Sequence, residues 1–177
     1  MEKCFPAEQI HKYKEREDSI MPNNVRRAKK EDVPAIMELL KQVNQVHYEG
    51  RPDLFRPETK YTAEELPAIL KNDRTPVFVY EDEDGVVLGH GFCILQKPEN
   101  TRLLTDINTL YIDDICVEQS ARGRHVGAAI YEHIIEYARQ CGCYNVTLNV
   151  WNCNPGAMKF YEKLGLVPYK VGMEKIL

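Results

Sequence analysis

The sequence lacks a basic excess, a long apolar run and a cysteine pattern typical of a metal site. Its 23 lysines and arginines are outnumbered by 27 aspartates and glutamates, which gives a net charge of −4. A general nucleic-acid binder needs a basic excess to pair with phosphates, so we expect no nucleic-acid partner. Because no apolar run approaches the length that spans a membrane, we also expect no membrane partner.

Two further absences concern export and cysteine chemistry. The first 24 residues contain no apolar core of the length that a signal peptide needs, which predicts a cytoplasmic protein. Of the six cysteines, Cys141 and Cys143 lie too close together for a zinc half-site, and no H-x-x-x-H motif follows them. We therefore expect reduced thiols, no disulfide framework and no metal.

The residues that are present indicate one folded domain. Hydrophobic residues make up 44% of the 177 residues and charged residues 28%, which is the ordinary globular range. Residues 1–24 form a polar arm with a candidate helix over 7–18, and we expect the compact domain to span residues 25–177.

Hydrophobic periodicity predicts the order of helices and strands. Thr62 and Glu65 form a capping box, Asn154 is placed to cap a later helix, and Gly142 and Gly165 fit helix ends. The predicted strands begin near residue 25 and then cover 77–80, 86–96, 105–117, 145–151 and 167–177, and the predicted helices cover 31–48, 62–72, 130–141 and 155–164. This order favours one mixed α/β or α+β sheet with helices on its faces.

The segment 115–128 joins a predicted strand to a helix through a turn with glycines and cations. Unpaired N–H groups at a helix N-terminus suit a phosphate, glycine allows close approach, and Arg122 and Arg124 add positive charge. The segment matches neither common nucleotide-binding loop. The residues alone leave open a phosphate site or a solvated turn with two surface arginines.

The segment 154–166 has the features of a capped helix. In the simplest interpretation Asn154 only caps the helix, Phe160 and Leu164 face the core, and Tyr161 is a boundary aromatic with a solvated hydroxyl. Taken alone, the segment does not decide between that interpretation and a ligand site.

Together and in this order, the two segments resemble the GNAT superfamily of N-acetyltransferases. The family carries an R/Q-x-x-G-x-G/A turn after a long strand and an N-x-x-A-x-x-F-Y-x-x-x-G-F pattern one strand later. The matching residues are Arg122 and Gly127, then Asn154, Ala157, Phe160, Tyr161 and Gly165. His125 stands at the first motif glycine, where a residue with helical φ can still offer its N–H, and Leu166 replaces the final Phe. The resemblance spans residues 25–177.

The resemblance implies a central mixed, mostly antiparallel sheet with helices on both faces, splayed at an acetyl-CoA site where the strand that ends at Val117 diverges from the strand at 145–150. It places the pyrophosphate at the turn 122–128, the pantetheine arm along the backbone of 115–117, and an oxyanion-stabilising donor in that backbone. The implied cofactor-binding residues are Ile115, Cys116, Val117, Arg122, Gly123, Arg124, His125, Val126, Gly127, Ala128, Asn154, Ala157 and Tyr161.

The implied reaction is direct attack of a primary amine, favoured as that of a small molecule, with Tyr161 as general acid to the leaving thiolate. Because an ammonium has no lone pair, a carboxylate must accept its proton. Asp113 and Asp114 are predicted on opposite faces by strand alternation. Asp114 is the candidate base, acting through a water, unless it only binds backbone or solvent, and Glu118 is a weaker candidate.

We expect the histidines, including His90, to serve packing or surface roles. In this family the first helix and the loop after it set the acceptor, so Tyr48 and Phe55 are predicted to line a small pocket. Glu49 and Asp53 either hold a cationic amine or stabilise a turn. A transferase for protein amines or longer acyl groups, a non-catalytic acyl-CoA-binding module and a homodimer stay open.

Overall fold

The computed structural model describes residues 24–98 and 102–177. The strands are β1 Val25–Arg27, β2 Val77–Glu81, β3 Val87–Gln96, β4 Thr109–Val117 and β5 Asn145–Leu148. The helices are α1 Val33–Gly50, α2 Leu66–Leu70, α3 Val126–Gln140 and α4 Pro155–Lys163. The helix predicted over 7–18 and the rest of the polar arm, apart from Asn24, lie outside the described residues.

The strands form one open sheet in chain order from β1 to β5. Neighbouring strands are antiparallel from β1 to β4, whereas β5 runs parallel to β4. The β4–β5 pairing ends at Ile112 opposite Leu148, so residues 113–117 of β4 have no β5 partner. The predicted mixed, mostly antiparallel α+β fold is confirmed, and the sheet opens where we expected the strands to diverge.

Helices cover both faces of the sheet because β2 sends alternate side chains to opposite sides. Val77 and Val79 pack with α1 and α2 on one face, and Phe78 packs with α3 on the other. On β3, Gly91 allows α3 to approach closely, because a Cβ there would lie 2.8 Å from Cδ1 of Ile134. Burying an isoleucine such as this one contributes about 1.5–3 kcal/mol to stability.

The start of α1 is fixed to β1 by an ion pair. Arg26 donates from Nη1 to Oδ2 of Asp32 at 2.8 Å and from Nη2 to Oδ1 at 2.9 Å. Asp32 also accepts the Lys29 N–H at 2.7 Å, and its side chain is only 6% exposed. A buried carboxylate with three such bonds orients the helix relative to the sheet.

The local helix signals are confirmed. The Thr62 N–H donates to Oε2 of Glu65 at 2.8 Å, and the Glu65 N–H donates to Oγ1 of Thr62 at 3.3 Å, which are the two bonds of a capping box. Oδ1 of Asn154 accepts the Ala157 N–H at 3.1 Å at the start of α4. Gly165 follows the end of α4 with a φ of +88°, which glycine adopts without steric cost.

Three strand predictions are wrong in extent or existence. The strand predicted over 105–117 begins at Thr109, and the one predicted over 145–151 ends at Leu148. Asparagine and aspartate are frequent in the trimmed segments and are poor strand formers. No strand forms over 167–177, where Val171 is 78% and Met173 91% exposed, because that segment pairs with no sheet edge in the described structure.

Candidate functional site

The turn between β4 and α3 offers backbone N–H groups at an exposed surface. The Ala129 N–H donates to the His125 carbonyl at 3.0 Å, which is the first bond of α3. The N–H groups of Val126, Gly127 and Ala128 precede that bond and have no partner within the helix. These groups carry the positive end of the helix dipole, so the turn can hold a phosphate.

His125 does not have the helical φ that we expected. Its φ is +62°, in the left-handed region, and Gly123 two residues earlier has a φ of +80°. The chain reverses between the 3-10 turn Gln119–Ala121 and α3, and this reversal requires positive φ at both positions. The histidine therefore adopts the backbone conformation that glycine adopts easily.

Gly127 links the two motif segments by packing. A Cβ at this position would lie 3.2 Å from Cζ of Phe160 and 3.4 Å from Cγ2 of Val117. The absence of a side chain lets the Phe160 ring of α4 reach the first turn of α3. The two segments therefore meet at one place on the fold.

The two arginines of the turn are both exposed. Neither Arg122 nor Arg124 pairs with a carboxylate in the part of the chain that the structure describes. Nε of Arg122 donates to the Val117 carbonyl at 3.3 Å, which holds that side chain over the end of β4. Both charges remain available to an anion in solution.

Asp113 and Asp114 lie on the same face of the sheet, so the prediction of opposite faces is wrong. Phe92 is paired with Asp114, but the next residue, Cys93, is paired with Ile112. Asp113 is thus an extra residue without a partner on β3, and this β-bulge interrupts the alternation of side chains. As a result both carboxylates face the side covered by α1.

The two carboxylates have different partners. Asp113 forms an ion pair with Lys60 and accepts the Tyr61 hydroxyl at 3.3 Å. Asp114 lies 2.9 Å from Nε2 of His90 through its Oδ2 atom. His90 is fully buried, as a packing role predicts, and it also has a polar partner that the sequence did not reveal. The sequence signal that marks it is a single histidine between two glycines in an apolar strand.

Tyr161 and Glu118 are the other proposed proton-transfer groups. Burial, together with the charge of Asp114, raises the pKa of Tyr161 well above its ordinary value, so the phenol keeps its proton at neutral pH. Glu118 accepts a hydrogen bond from Nε2 of Gln42 on α1 at 2.5 Å. That bond ties Glu118 to the helix.

Three aromatic rings form a wall where the acceptor pocket is predicted. Phe55 stacks on His47 with ring centroids 5.1 Å apart and meets Trp151 edge-on, also at 5.1 Å. Burial lowers the pKa of His47, although the charge of Asp114 opposes that shift. The Tyr48 side chain is half-buried, its ring makes no ring contact and its hydroxyl makes no hydrogen bond with another described residue. The sequence did not reveal Trp151, because it lies about a hundred residues from its partner.

The charged residues of the loop after α1 are engaged with each other. Asp53 accepts three hydrogen bonds from Arg51, at 2.9 and 3.3 Å from Nε and at 2.7 Å from Nη2. Arg51 also pairs with Glu174 at 2.9 Å, and Glu49 accepts a bond from Gln45 at 2.6 Å. Of the two interpretations of Glu49 and Asp53, this arrangement supports stabilisation of local structure.

The described cysteines are all free. Sγ of Cys116 donates to the Leu39 carbonyl at 3.3 Å, and burial raises the pKa of this thiol to about 12. Its side chain therefore cannot supply a thiolate. Over residues 24–98 and 102–177 no group of three or more His, Cys, Asp or Glu side chains is placed to hold a metal ion. None of the helices described is long and apolar enough to cross a membrane.

Comparisons with known proteins agree with this arrangement. Glucosamine 6-phosphate N-acetyltransferase 1 of Oryza sativa subsp. japonica is 38% identical over 63 residues, which cover 36% of each chain. The match thus spans about a third of that curated relative. A mutant of the BH1408 protein from Bacillus halodurans superposes with a TM-score of 0.83 at 28% identity over 86% of this chain and 98% of that one.

Two further comparisons concern the fold and the family. An aminoglycoside N-acetyltransferase in complex with CoA has the same fold, with a TM-score of 0.67 at 18% identity over 86% of this chain and 93% of the other. The family model described as acetyltransferase (GNAT) family matches residues 36–166, a range that includes both motif segments and the carboxylates of β4. The chain therefore belongs to the acetyltransferase (GNAT) family.

Proposed function

We propose that the protein transfers the acetyl group of acetyl-CoA to a primary amine of a small molecule by direct attack. This proposal is based on one observation: three features lie together where β4 extends past the end of β5. These are the edge of β4 over 113–117, which has no β5 partner, a cationic turn with free N–H groups, and Tyr161, whose pKa responds to the charge of Asp114. Membership of the family supports the same assignment.

The turn and the open edge of β4 fit the two halves of acetyl-CoA. The N–H groups of 126–128, with Arg122 and Arg124, bind the pyrophosphate. The backbone of 115–117 pairs with the pantetheine arm and donates to the developing oxyanion. Asn154 orders α4, because its Oδ1 already caps that helix, and Ala157 adds a small surface beside the arm.

The chemistry needs one proton acceptor and one proton donor. The neutral amine attacks the thioester carbonyl carbon, the C–S bond breaks, and the amine proton passes through a water to Asp114. Tyr161 gives its proton to the leaving thiolate. Burial raises the pKa of this phenol, and it also raises the proton affinity of a thiolate beside it. The proton affinities of the donor and of the leaving group therefore rise together.

The acceptor side favours a small amine. Phe55 contacts the rings of His47 and Trp151, and we expect Phe55 and Tyr48 to line a small pocket beside these rings. The relatives named for glucosamine 6-phosphate make that amino sugar the first candidate. However, Arg51 and Lys60, two cations of this side, already pair with carboxylates, so we expect glucosamine without phosphate to serve comparably.

The test begins with cofactor binding and continues with turnover. We expect acetyl-CoA and CoA, but not ATP, to raise the melting temperature. Thiol release is then followed with amino sugars, other amines and peptides, and with longer acyl-CoA donors. Tyr161→Phe should lower kcat about 100-fold with little change in acetyl-CoA affinity, and Tyr144→Phe, at a 70% exposed position, should change neither.

Several results would contradict the proposal. Absence of stabilisation by either CoA species would remove the cofactor assignment. Stabilisation without thiol release from any acceptor would favour an acyl-CoA-binding module. Turnover of peptides alone would favour a protein acetyltransferase, and equal losses of kcat and affinity in Tyr161→Phe would indicate a structural role.

A homodimer and a cytoplasmic location remain predictions. The C-terminal segment exposes apolar side chains, including Val171 and Met173. This is the surface on which we expect a dimer contact to form. Sedimentation of the purified chain at several concentrations measures the oligomeric state, and a single monomeric species at all of them would contradict the dimer.

A further inference from the structure

We propose that His90 is a positioning residue that orients Asp114 as the base, an inference that rests on the proposed function. His90 lies on β3 with no exposed surface, and its Nε2 is 2.9 Å from Oδ2 of Asp114. The bulge at Asp113 brings the Asp114 carboxylate to the face where His90 lies. The pair therefore depends on the local geometry of both strands.

The second ring nitrogen of His90 identifies which atom donates. Nδ1 is buried and has no hydrogen-bond partner among the described residues. A proton on Nδ1 would bury an unpaired N–H and turn the Nε2 lone pair towards a carboxylate, which is repulsive. A neutral ring with its proton on Nε2 leaves only one lone pair unsatisfied. His90 therefore donates and Asp114 accepts as a carboxylate.

The neutral partner distinguishes Asp114 from its neighbour. The charge of Asp113 is balanced by Lys60, whereas Asp114 is held by a ring without net charge. Asp114 therefore has no ion-pair partner of the kind that Lys60 provides for Asp113. The edge of the His90 ring packs against Phe92 at a centroid distance of 5.0 Å, which fixes the direction of its N–H.

Other charged groups reach Asp114 from the elements around it. The negative charge of Asp114 acts to raise the pKa of three of them, which are His47 on α1, Lys60 in the loop after α1 and Tyr161 on α4. Lys60 already pairs with Asp113, and Tyr161 keeps its proton at neutral pH. His47 is the imidazole among these groups, and burial lowers its pKa, so a pH profile must separate its effect from that of Asp114.

The central experiment compares His90→Leu, which removes the N–H, with His90→Gln, whose amide keeps a donor near the Nε2 position. We expect His90→Leu to lower kcat/KM about tenfold and to move the acid limb of its pH profile to higher pH, because the carboxylate loses a bond that favours its ionised form. His90→Gln should restore most of both. The KM for acetyl-CoA should stay unchanged.

Matched variants separate positioning from folding. His133 on α3 also has a buried Nδ1 without a partner in the described structure, but it contacts Phe78 on the other face of the sheet. His133→Leu should leave the pH profile as it is. His90→Leu should have no further effect on activity in an Asp114→Asn background, and His47→Gln should not abolish the shift that His90→Leu causes.

A measurement without turnover tests the pair even if the proposed reaction fails. Ring ¹⁵N chemical shifts of His90 should show a proton on Nε2 and should change in Asp114→Asn. A proton on Nδ1 would overturn the inference, whether or not the protein acetylates any amine. Equal pH profiles for wild type and His90→Leu, or a His90→Gln variant as impaired as His90→Leu, would overturn it as well.

Discussion

The left-handed backbone of His125 makes a stability prediction that can be worked out from one torsion angle. A non-glycine residue near φ +62° carries a cost of about 1–2 kcal/mol. His125→Gly removes that cost but loses about 0.4–1 kcal/mol through the greater freedom of glycine in the unfolded chain. The free energy of unfolding should therefore rise by about 0.5–1 kcal/mol, which raises the melting temperature by about 2 °C for a chain of this size.

Two companion variants test the reasoning. His125→Ala keeps a Cβ at positive φ, so it should gain nothing, and His125→Val should lose at least about 1 kcal/mol because a β-branched residue fits this region poorly. Urea unfolding measures all three, and calorimetric titration measures acetyl-CoA affinity. His125→Gly should keep that affinity, whereas His125→Val should weaken it by turning the backbone N–H away. A His125→Ala variant as stable as His125→Gly would refute the strain argument.

Two further predictions concern charge. Replacing Arg122 and Arg124 with alanine should weaken CoA binding about tenfold at low salt, and the difference in CoA affinity from wild type should become smaller as salt is added. Equal affinity of the variant and wild type at every salt concentration would contradict the role of these arginines in binding phosphate. Burial raises the pKa of Asp32, but the hydrogen bonds from Arg26 and from the backbone outweigh burial and lower that pKa overall. The ionised Asp32 therefore stabilises the fold at neutral pH, and this stabilisation is lost as the pH falls below about 4. Asp32→Asn should cost about 2 kcal/mol at pH 7 and flatten the acid dependence of urea unfolding, and an unchanged dependence would exclude this ion pair as its source.

The helices and most strands could be predicted from the sequence because their signals are local. The capping box at Thr62 and the Asn154 cap each depend on residues three positions apart, and both form as expected. The extent of β4 and the fate of the C-terminal segment depend instead on which edge is available for pairing. A strand pattern such as that of 167–177 specifies alternation but not a partner.

For the same reason, the two motif segments that are proposed to bind the cofactor could be located from the sequence, whereas the contacts around the proposed acceptor side could not. The turn at 122–128 and the helix at 155–163 are continuous segments, so a motif can represent them. The contact between His90 and Asp114 joins two strands through a register that one extra residue has shifted. No spacing in the chain encodes that shift.

Two of the places where a local rule fails lie at the candidate site, and a further register shift lies between Tyr80 and Glu81, where β2 meets β3. Side-chain alternation holds along β2, where each face must bury an apolar side chain, and fails at Asp113, where the bulge directs two carboxylates to one face. The preference for negative φ holds at the other non-glycine residues described and fails at His125. Neither exception adds buried apolar surface, so packing alone does not favour them. The bulge instead brings two carboxylates to one face, and the positive φ of His125 directly precedes the first N–H groups of α3, so both exceptions position polar groups of the candidate site.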